Sequence, residues 1–337
     1  MTDLINKKEV KNILVTRTDR LGDVILTLPL ISEVKNIFAD SHVLFLVKRY
    51  VSDIVNNYES IDELVFEEDI PGFLKKYKFF KKKKIDLVIN VKPEFSLALI
   101  FFLLRIKYRI GTGYRWYSFL YNRKVYEHRK TSDKHESDYN LGLLKYFIEE
   151  VKSEKKFYFR YSDEERRILN EKLSEYKFSL NDDYIIIHPG SGGSAKDLPL
   201  EKITDYINIF LDEYENYKVV FTGLENEKEI VEKIVRDMTK SKSTGINNLA
   251  GKLNLRELMI LIDSSKLFVS NSTGPIHIAG GLNKNIIGFY PNEKPMNETR
   301  WRPLGDYVTI VKPFNVSDDM SSIEVNEIMK ATRNILN

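Results

Sequence analysis

The 337-residue chain contains no cysteine. That removes disulfides, thiolate nucleophiles and cysteine metal ligands together. Histidine is scarce: His42, His128, His135, His188 and His277 are the only five, and no two stand at the i, i+4 spacing of a helical zinc motif. No metal site is predicted. Long apolar runs are missing too. The longest, Phe95 to Leu104, is about half the ~20 residues that a membrane-spanning helix needs. The opening stretch MTDLINKKEVKN has no apolar signal-peptide core, so a cytoplasmic protein is predicted. Net charge is only +3, which gives no strong whole-chain attraction to nucleic acid or membrane. There is no short-period repeat.

What the chain does have is uneven charge and a steady alternation of strands and helices. From Lys75 to Lys130 it is plainly basic, with the run Lys81 to Lys84 and then Arg105, Lys107, Arg109, Arg115, Arg123 and Lys124. Continuous apolar runs such as Asn12–Thr16, His42–Val47, Ile85–Val91, Tyr184–Ile187 and Leu267–Val269 read as strands buried on both faces. Helical patterns separate them, and Pro29 should kink the first of these or mark a late start. Strands alternating with helices predict parallel sheets covered on both sides. Two such series, with a charged link at Lys152 to Lys156, predict two doubly wound α/β domains facing across a cleft. Their expected extents are 1–155 and 156–317, followed by a helix in 318–337. Arg115 to Lys134 is aromatic and basic, without clear periodicity.

In open parallel sheets ligands bind beyond the carboxyl ends of the strands, so the loops there are the ones to search. LFVSNSTGPIHIAGGL, Leu267 to Leu282, reads as strand, tight loop and helix start. Ser272, Thr273 and Gly274 lead into the helix and His277 lies within it. Its free N–H groups form an anion site, unless a Ser or Thr simply caps them. HPGSGGSAK, His188 to Lys196, brings Ser191, Gly192 and a lysine after another strand. It lacks Walker A spacing; either it wraps a phosphate or it is a surface loop. Two such turns in one half could hold a diphosphate. TGLENE places Glu225 and Glu227 past a third strand, for ribose hydroxyls or for a helix first turn. In the other half, RTDRLGD offers Arg17, Arg20, Gly22 and Asp23. Asp23 is either a helix cap or a general base, with Asp19 as a second candidate. Arg17 and Arg20 either bind an anionic acceptor or pair with the aspartates.

Four stretches together resemble the heptosyltransferases of glycosyltransferase family 9, which build the inner core of bacterial lipopolysaccharide. They are ILVTRTDRLGDVILTLPLI, IIIHPGSGGSAKDLPLEK, NLAGKLNLRELMILI and VSNSTGPIHIAGGL; Lys75 to Val151 carry none of the likeness. The resemblance implies GT-B architecture, with the last helix crossing back to the first domain. It implies inverting transfer of heptose from ADP-heptose to a lipid acceptor, with no metal or other cofactor. By the same resemblance the catalytic aspartate of the family's LGD motif falls on Asp23. The diphosphate-binding lysine of its K-x-W-P motif falls on Lys196, and the ribose-binding glutamate on Glu227 or the nearby Glu225. The helix-start motif falls on Ser272 to His277. Lys196-Asp197-Leu198-Pro199 lacks the family's tryptophan, and Ser272 stands where an aspartate is common.

The expected partners are therefore a nucleotide-sugar donor and an anionic glycolipid, with peripheral contact at the cytoplasmic face of the inner membrane. Phe95 to Leu104, beside the basic stretch, suits such a surface or is an ordinary buried helix. Competing readings are a nucleotide-sugar epimerase of similar architecture and a non-catalytic two-lobed sugar-phosphate binding protein. Nucleic-acid binding fits the basic stretch but not the glycine turns.

Overall fold

The structure is a computed structural model that describes residues 7–56, 58–148, 159, 161–193, 196–236, 238, 245–317 and 319–337. The chain forms two compact units, Met1–Phe157 and Tyr158–Asn337. The charged link Lys152 to Lys156 lies outside the described residues, as do Ser194 and Ala195.

The first unit is built on six parallel strands: β1 (Asn12–Thr16), β2 (His42–Val47), β3 (Glu63–Phe66), β4 (Leu87–Asn90), β5 (Tyr108–Thr112) and β6 (Arg123–Val125). Their order is β3-β2-β1-β4-β5-β6. The order reverses between β1 and β4, the switch point where doubly wound sheets bind ligands. β1 is apolar without alternation because helices cover both its faces. The proline break falls where expected: α1 (Leu21–Ile25) stops, and α2 (Leu28–Ile37) restarts with Pro29 in its first turn, where its missing N–H costs nothing. The remaining helices are α3 (Ser52–Val55), α4 (Gly72–Lys83), α5 (Phe95–Leu103) and α6 (Glu136–Leu141). Phe80 of α4 and Phe101 of α5 close one face of the sheet over Leu14, Leu44 and Val88. β6 was not legible, since two of its three residues, Arg123 and Lys124, are charged and lie inside the basic stretch. The helix expected from Ser137 to Val151 is α6 followed by a 3-10 segment, Gly142–Tyr146.

The second unit opens on α7 (Asp163–Ser174), capped by Ser162 with Glu165 completing a reciprocal box. Its strands are β7 (Tyr184–His188), β8 (Lys218–Phe221), β9 (Ile246–Asn248), β10 (Leu267–Asn271), β11 (Ile286–Phe289) and β12 (Val308–Val311). The order is β12-β11-β10-β7-β8-β9. This is the topology of the first sheet repeated, with its switch point between β7 and β10. Helices α8 (Leu200–Glu213), α9 (Lys228–Arg236), α10 (Leu255–Ser264), α11 (Gly274–Gly281), α12 (Glu298–Trp301) and α13 (Val325–Leu336) complete it. At Gly280 α11 passes so close to the following segment that a β-carbon would stand 2.1 Å from the Leu304 carbonyl oxygen. Only glycine permits that approach.

The last helix, α13, packs within the second unit. Ile328, Met329 and Ala331 of α13 join the core of the second unit with Phe210 of α8. Thr332 and Tyr206 share a buried hydrogen bond of 3.0 Å. The apolar stripe of α13 is spent on α8, and burying side chains of this size stabilises by roughly 1.5–3 kcal/mol each.

Candidate active site

At the switch point of the first unit, Thr16 donates to Asn90 Oδ1 at 2.8 Å, tying the ends of β1 and β4. Arg17 follows. Its N–H donates to the Leu46 carbonyl (2.9 Å), so the backbone is still held by the sheet. The residue is 3% exposed, and its side chain lies among three carboxylates. Nε is 2.7 Å from Asp19, and Nη2 is paired with Asp23 and 3.4 Å from Glu136. Burial works against the guanidinium charge, but Asp23, Asp19 and Glu136 together hold its pKa above the ordinary value. Arg17 is therefore the partner of the aspartates rather than an open anion site. Arg20, at the N-cap of α1, is exposed, and Gly22 is buried in the first turn.

Asp23 occupies the first turn of α1, but its carboxylate is turned to Arg17, and no side chain caps the helix. Burial, then the like charges of Asp19 and Glu136, raise its pKa, and Arg17 opposes the rise. A partly buried carboxylate whose proton affinity is raised is suited to taking a proton near neutral pH.

In the second unit the two glycine-bearing turns are joined by Asn271, the last residue of β10, which sequence reading passed over. It is 1% exposed. Its Nδ2 donates to the Pro189 carbonyl (2.6 Å) and its Oδ1 accepts from the Leu198 N–H (2.9 Å). The loop after β7 and the turn into α11 are thus one structure at the switch point. Thr273 is the N-cap of α11 but makes no cap hydrogen bond; its hydroxyl lies 3.1 Å from Ser270 Oγ. The helix therefore opens with its first N–H groups uncapped by that side chain, which suits an anion. The Ser272 side chain hydrogen-bonds Tyr290, and His277 is buried within α11.

Glu227 is buried and accepts from the Leu224 N–H at 2.8 Å. It stands against Gly190 in the loop after β7, whereas Glu225 is exposed and lies against Gly251. His188 is buried, with Nδ1 2.9 Å from Thr222 Oγ1. Burial pulls its pKa down to about 4, against the attraction of Glu227. The Ser191 hydroxyl and N–H both bond the Asp197 carboxylate, so an arriving phosphate would have to displace an acid already in place. Gly192 is exposed in a left-handed conformation, φ 55°. Lys196 is half-exposed and paired with Glu293.

A model of glycosyltransferase family 9 (heptosyltransferase) matches residues 74–327. The chain belongs to glycosyltransferase family 9. The match includes Lys75 to Val151, where no likeness was read from the sequence. The lipopolysaccharide core heptosyltransferase OpsX of Haemophilus influenzae is 24% identical over 310 residues, covering 89% of this chain and 84% of the relative. A crystal structure of the family 9 glycosyl transferase from Veillonella parvula superposes with a TM-score of 0.83 at 22% identity, covering 97% of each chain. The Escherichia coli ADP-heptose lipopolysaccharide heptosyltransferase II gives 0.78 at 18% identity, covering 97% of this chain and 98% of that one. The family 9 chain thus has the GT-B fold, as expected, and is a glycosyltransferase. A two-lobed binding protein and an epimerase do not fit that membership.

Proposed function

We propose that this family 9 enzyme transfers heptose from ADP-heptose, with inversion, to a lipopolysaccharide core or related anionic glycolipid. The observation that carries the donor half is the Asn271 bridge, which joins two anion-suited turns at one switch point. The names of the heptosyltransferase relatives favour the donor and the acceptor class. In this reading the first N–H groups of α11 at Thr273 and Gly274, together with Lys196, receive the diphosphate, and Glu227 receives the ribose hydroxyls. Ser191 joins them once Asp197 gives way. Asp23 takes the proton of the acceptor hydroxyl. The acceptor oxygen bonds to the anomeric carbon from the face opposite the diphosphate, the carbon–oxygen bond to the diphosphate breaks, and ADP leaves. Charge on the leaving diphosphate is met by preorganised donors and a lysine, and no metal or other cofactor takes part. Calorimetric titration with ADP, UDP and GDP tests the donor. Selective ADP binding supports it; preference for UDP or GDP removes heptose as the sugar.

We also infer peripheral membrane contact through the first unit. Among the described residues no helix is long and apolar enough to cross a bilayer. However, α5 leaves Phe95, Phe102 and Leu103 exposed. Phe95 packs against Trp116 with the ring centroids 4.8 Å apart, and Trp116 and Phe119 are 73% and 63% exposed. Between positions 75 and 130 there are sixteen basic and three acidic residues. Aromatic rings beside such charge suit an anionic lipid surface, where each nearby Lys or Arg adds about 1 kcal/mol.

A further inference from the structure

Glu136 carries no motif, yet it is 1% exposed and ionisable. A carboxylate is buried at such cost only if it is well paired. Glu136 has arginines on two sides: Arg129 hydrogen-bonds it, and Arg17 lies 3.4 Å away. Arg17 is the same guanidinium that pairs with Asp23. One turn along α6, Asn140 is fully buried. It accepts from Arg129 at 3.1 Å and donates to the Leu26 carbonyl at 2.9 Å and to Thr27 Oγ1 at 3.3 Å. The Thr27 hydroxyl in turn donates to the Asp23 carbonyl at 2.8 Å. Helix α6 therefore reaches Asp23 twice: through Glu136 and Arg17 to its carboxylate, and through Asn140 and Thr27 to its backbone.

We propose that Glu136 is a positioning residue for the transfer reaction, holding Arg17 between itself and Asp23 so that the Asp23 carboxylate is fixed in direction and only partly neutralised. This rests on the reading of Asp23 as the base. Were Arg17 given wholly to Asp23, the carboxylate would be a poorer proton acceptor; were Arg17 drawn wholly to Glu136, Asp23 would lose its anchor. The charged and titratable groups around Asp23 are Arg17 and Asp19 from its own loop, Glu136 from α6 with Arg129 behind it, and Tyr50. The Tyr50 hydroxyl donates to the Asp19 carbonyl at 2.8 Å, and burial, Asp19 and Asp23 push its pKa up to about 12.

The geometry sets opposite signs for two substitutions. Glu136→Gln removes a like charge and releases Arg17 to Asp23, so Asp23 titrates lower. Arg129→Gln leaves Glu136 to pull harder on Arg17, so Asp23 titrates higher. The test is carboxyl-13C NMR titration of the full chain, with the Asp23 signal assigned by its loss in Asp23→Asn. Displacements of about one pH unit, of opposite sign in the two variants, are expected. The companion measurement is transfer from ADP-heptose to lipopolysaccharide of a heptose-deficient strain. There kcat of Glu136→Gln should fall roughly tenfold to a hundredfold while KM for the donor holds. An unmoved Asp23 midpoint in both variants, or movement in the same direction, overturns the proposal. If Glu136→Gln does not fold, Arg129→Gln decides alone: an upward midpoint supports the proposal and an unchanged one overturns it. Full turnover in Asp23→Asn would sink the base assignment instead, whatever the midpoints do.

Discussion

Gly190 and Glu227 fit together only because one of them has no side chain: a β-carbon on Gly190 would stand 1.9 Å from Glu227 Oε1. The backbone after β7 and the carboxylate after β8 are in contact at the strand ends. Gly190→Ala must push Glu227 aside. If Glu227 binds the ribose, ADP affinity should fall about tenfold or more, the size of losing a hydrogen bond to a charged group. Calorimetry on the folded variant checks this, and unchanged affinity would remove Glu227 from the nucleotide site.

Asp23→Asn keeps the size of the side chain and removes the proposed base. Transfer should slow by a factor on the order of 100 to 10,000, with ADP affinity unchanged. In the wild type the acid limb of the rate profile should lie above the ordinary aspartate range, because burial and the charges of Asp19 and Glu136 raise the Asp23 pKa. Rate–pH curves test both points; an acid limb at the ordinary aspartate value would contradict the raised pKa.

Lys196 and Glu293 are each about half-exposed, so their pair stabilises the fold by roughly 0–1 kcal/mol. Lys196→Ala should leave the melting temperature nearly unchanged and weaken ADP binding about tenfold, with a reduced dependence on salt. A variant that binds ADP as well as the wild type would take Lys196 out of the diphosphate site.

His188 makes stability depend on pH. Its folded pKa, about 4, lies below the 6.5 of a free histidine. As pH falls from 6.5 toward 4, the unfolded chain takes up a proton that the folded chain does not. Stability is therefore complete above about 6.5 and is lost through that window, by at most about 3 kcal/mol. Urea melts followed across this range should show the loss, and His188→Gln should flatten it. An equal slope in the variant would place the effect elsewhere.

Trp116→Ser combined with Phe119→Ser removes two exposed rings and no fully buried side chain. Sedimentation with vesicles rich in phosphatidylglycerol should show markedly weaker binding for the double variant, and binding of the wild type should fall with salt. Wild-type protein that stays in the supernatant at low salt would end the membrane reading.

The sheet was legible because its signal is local. Asn12–Thr16 and His42–Val47 are strands at the residues where the apolar runs begin and end. The turn into α11 was legible too, since Gly274 and Pro275 belong at a helix start. What stayed hidden depends on distance along the chain. Nothing local to Glu136 announces a partner at Arg17, 119 residues away, and Asn271 meets Pro189 across 82. The apolar stripe of α13 likewise shows that it packs, but not that α8 is a partner.

The two sheets share one strand order, and each sets its polar residues at the same address within that order. On the proposed reading, recognition of the leaving group and activation of the nucleophile are written on separate, similarly built halves. On that reading a substitution around Ser270 to His277 would alter what is given, while Arg17, Asp23 and Glu136 belong to the other unit. Changes in the basic first half can alter what receives it. Such a division lets one scaffold diversify its donors and its acceptors independently.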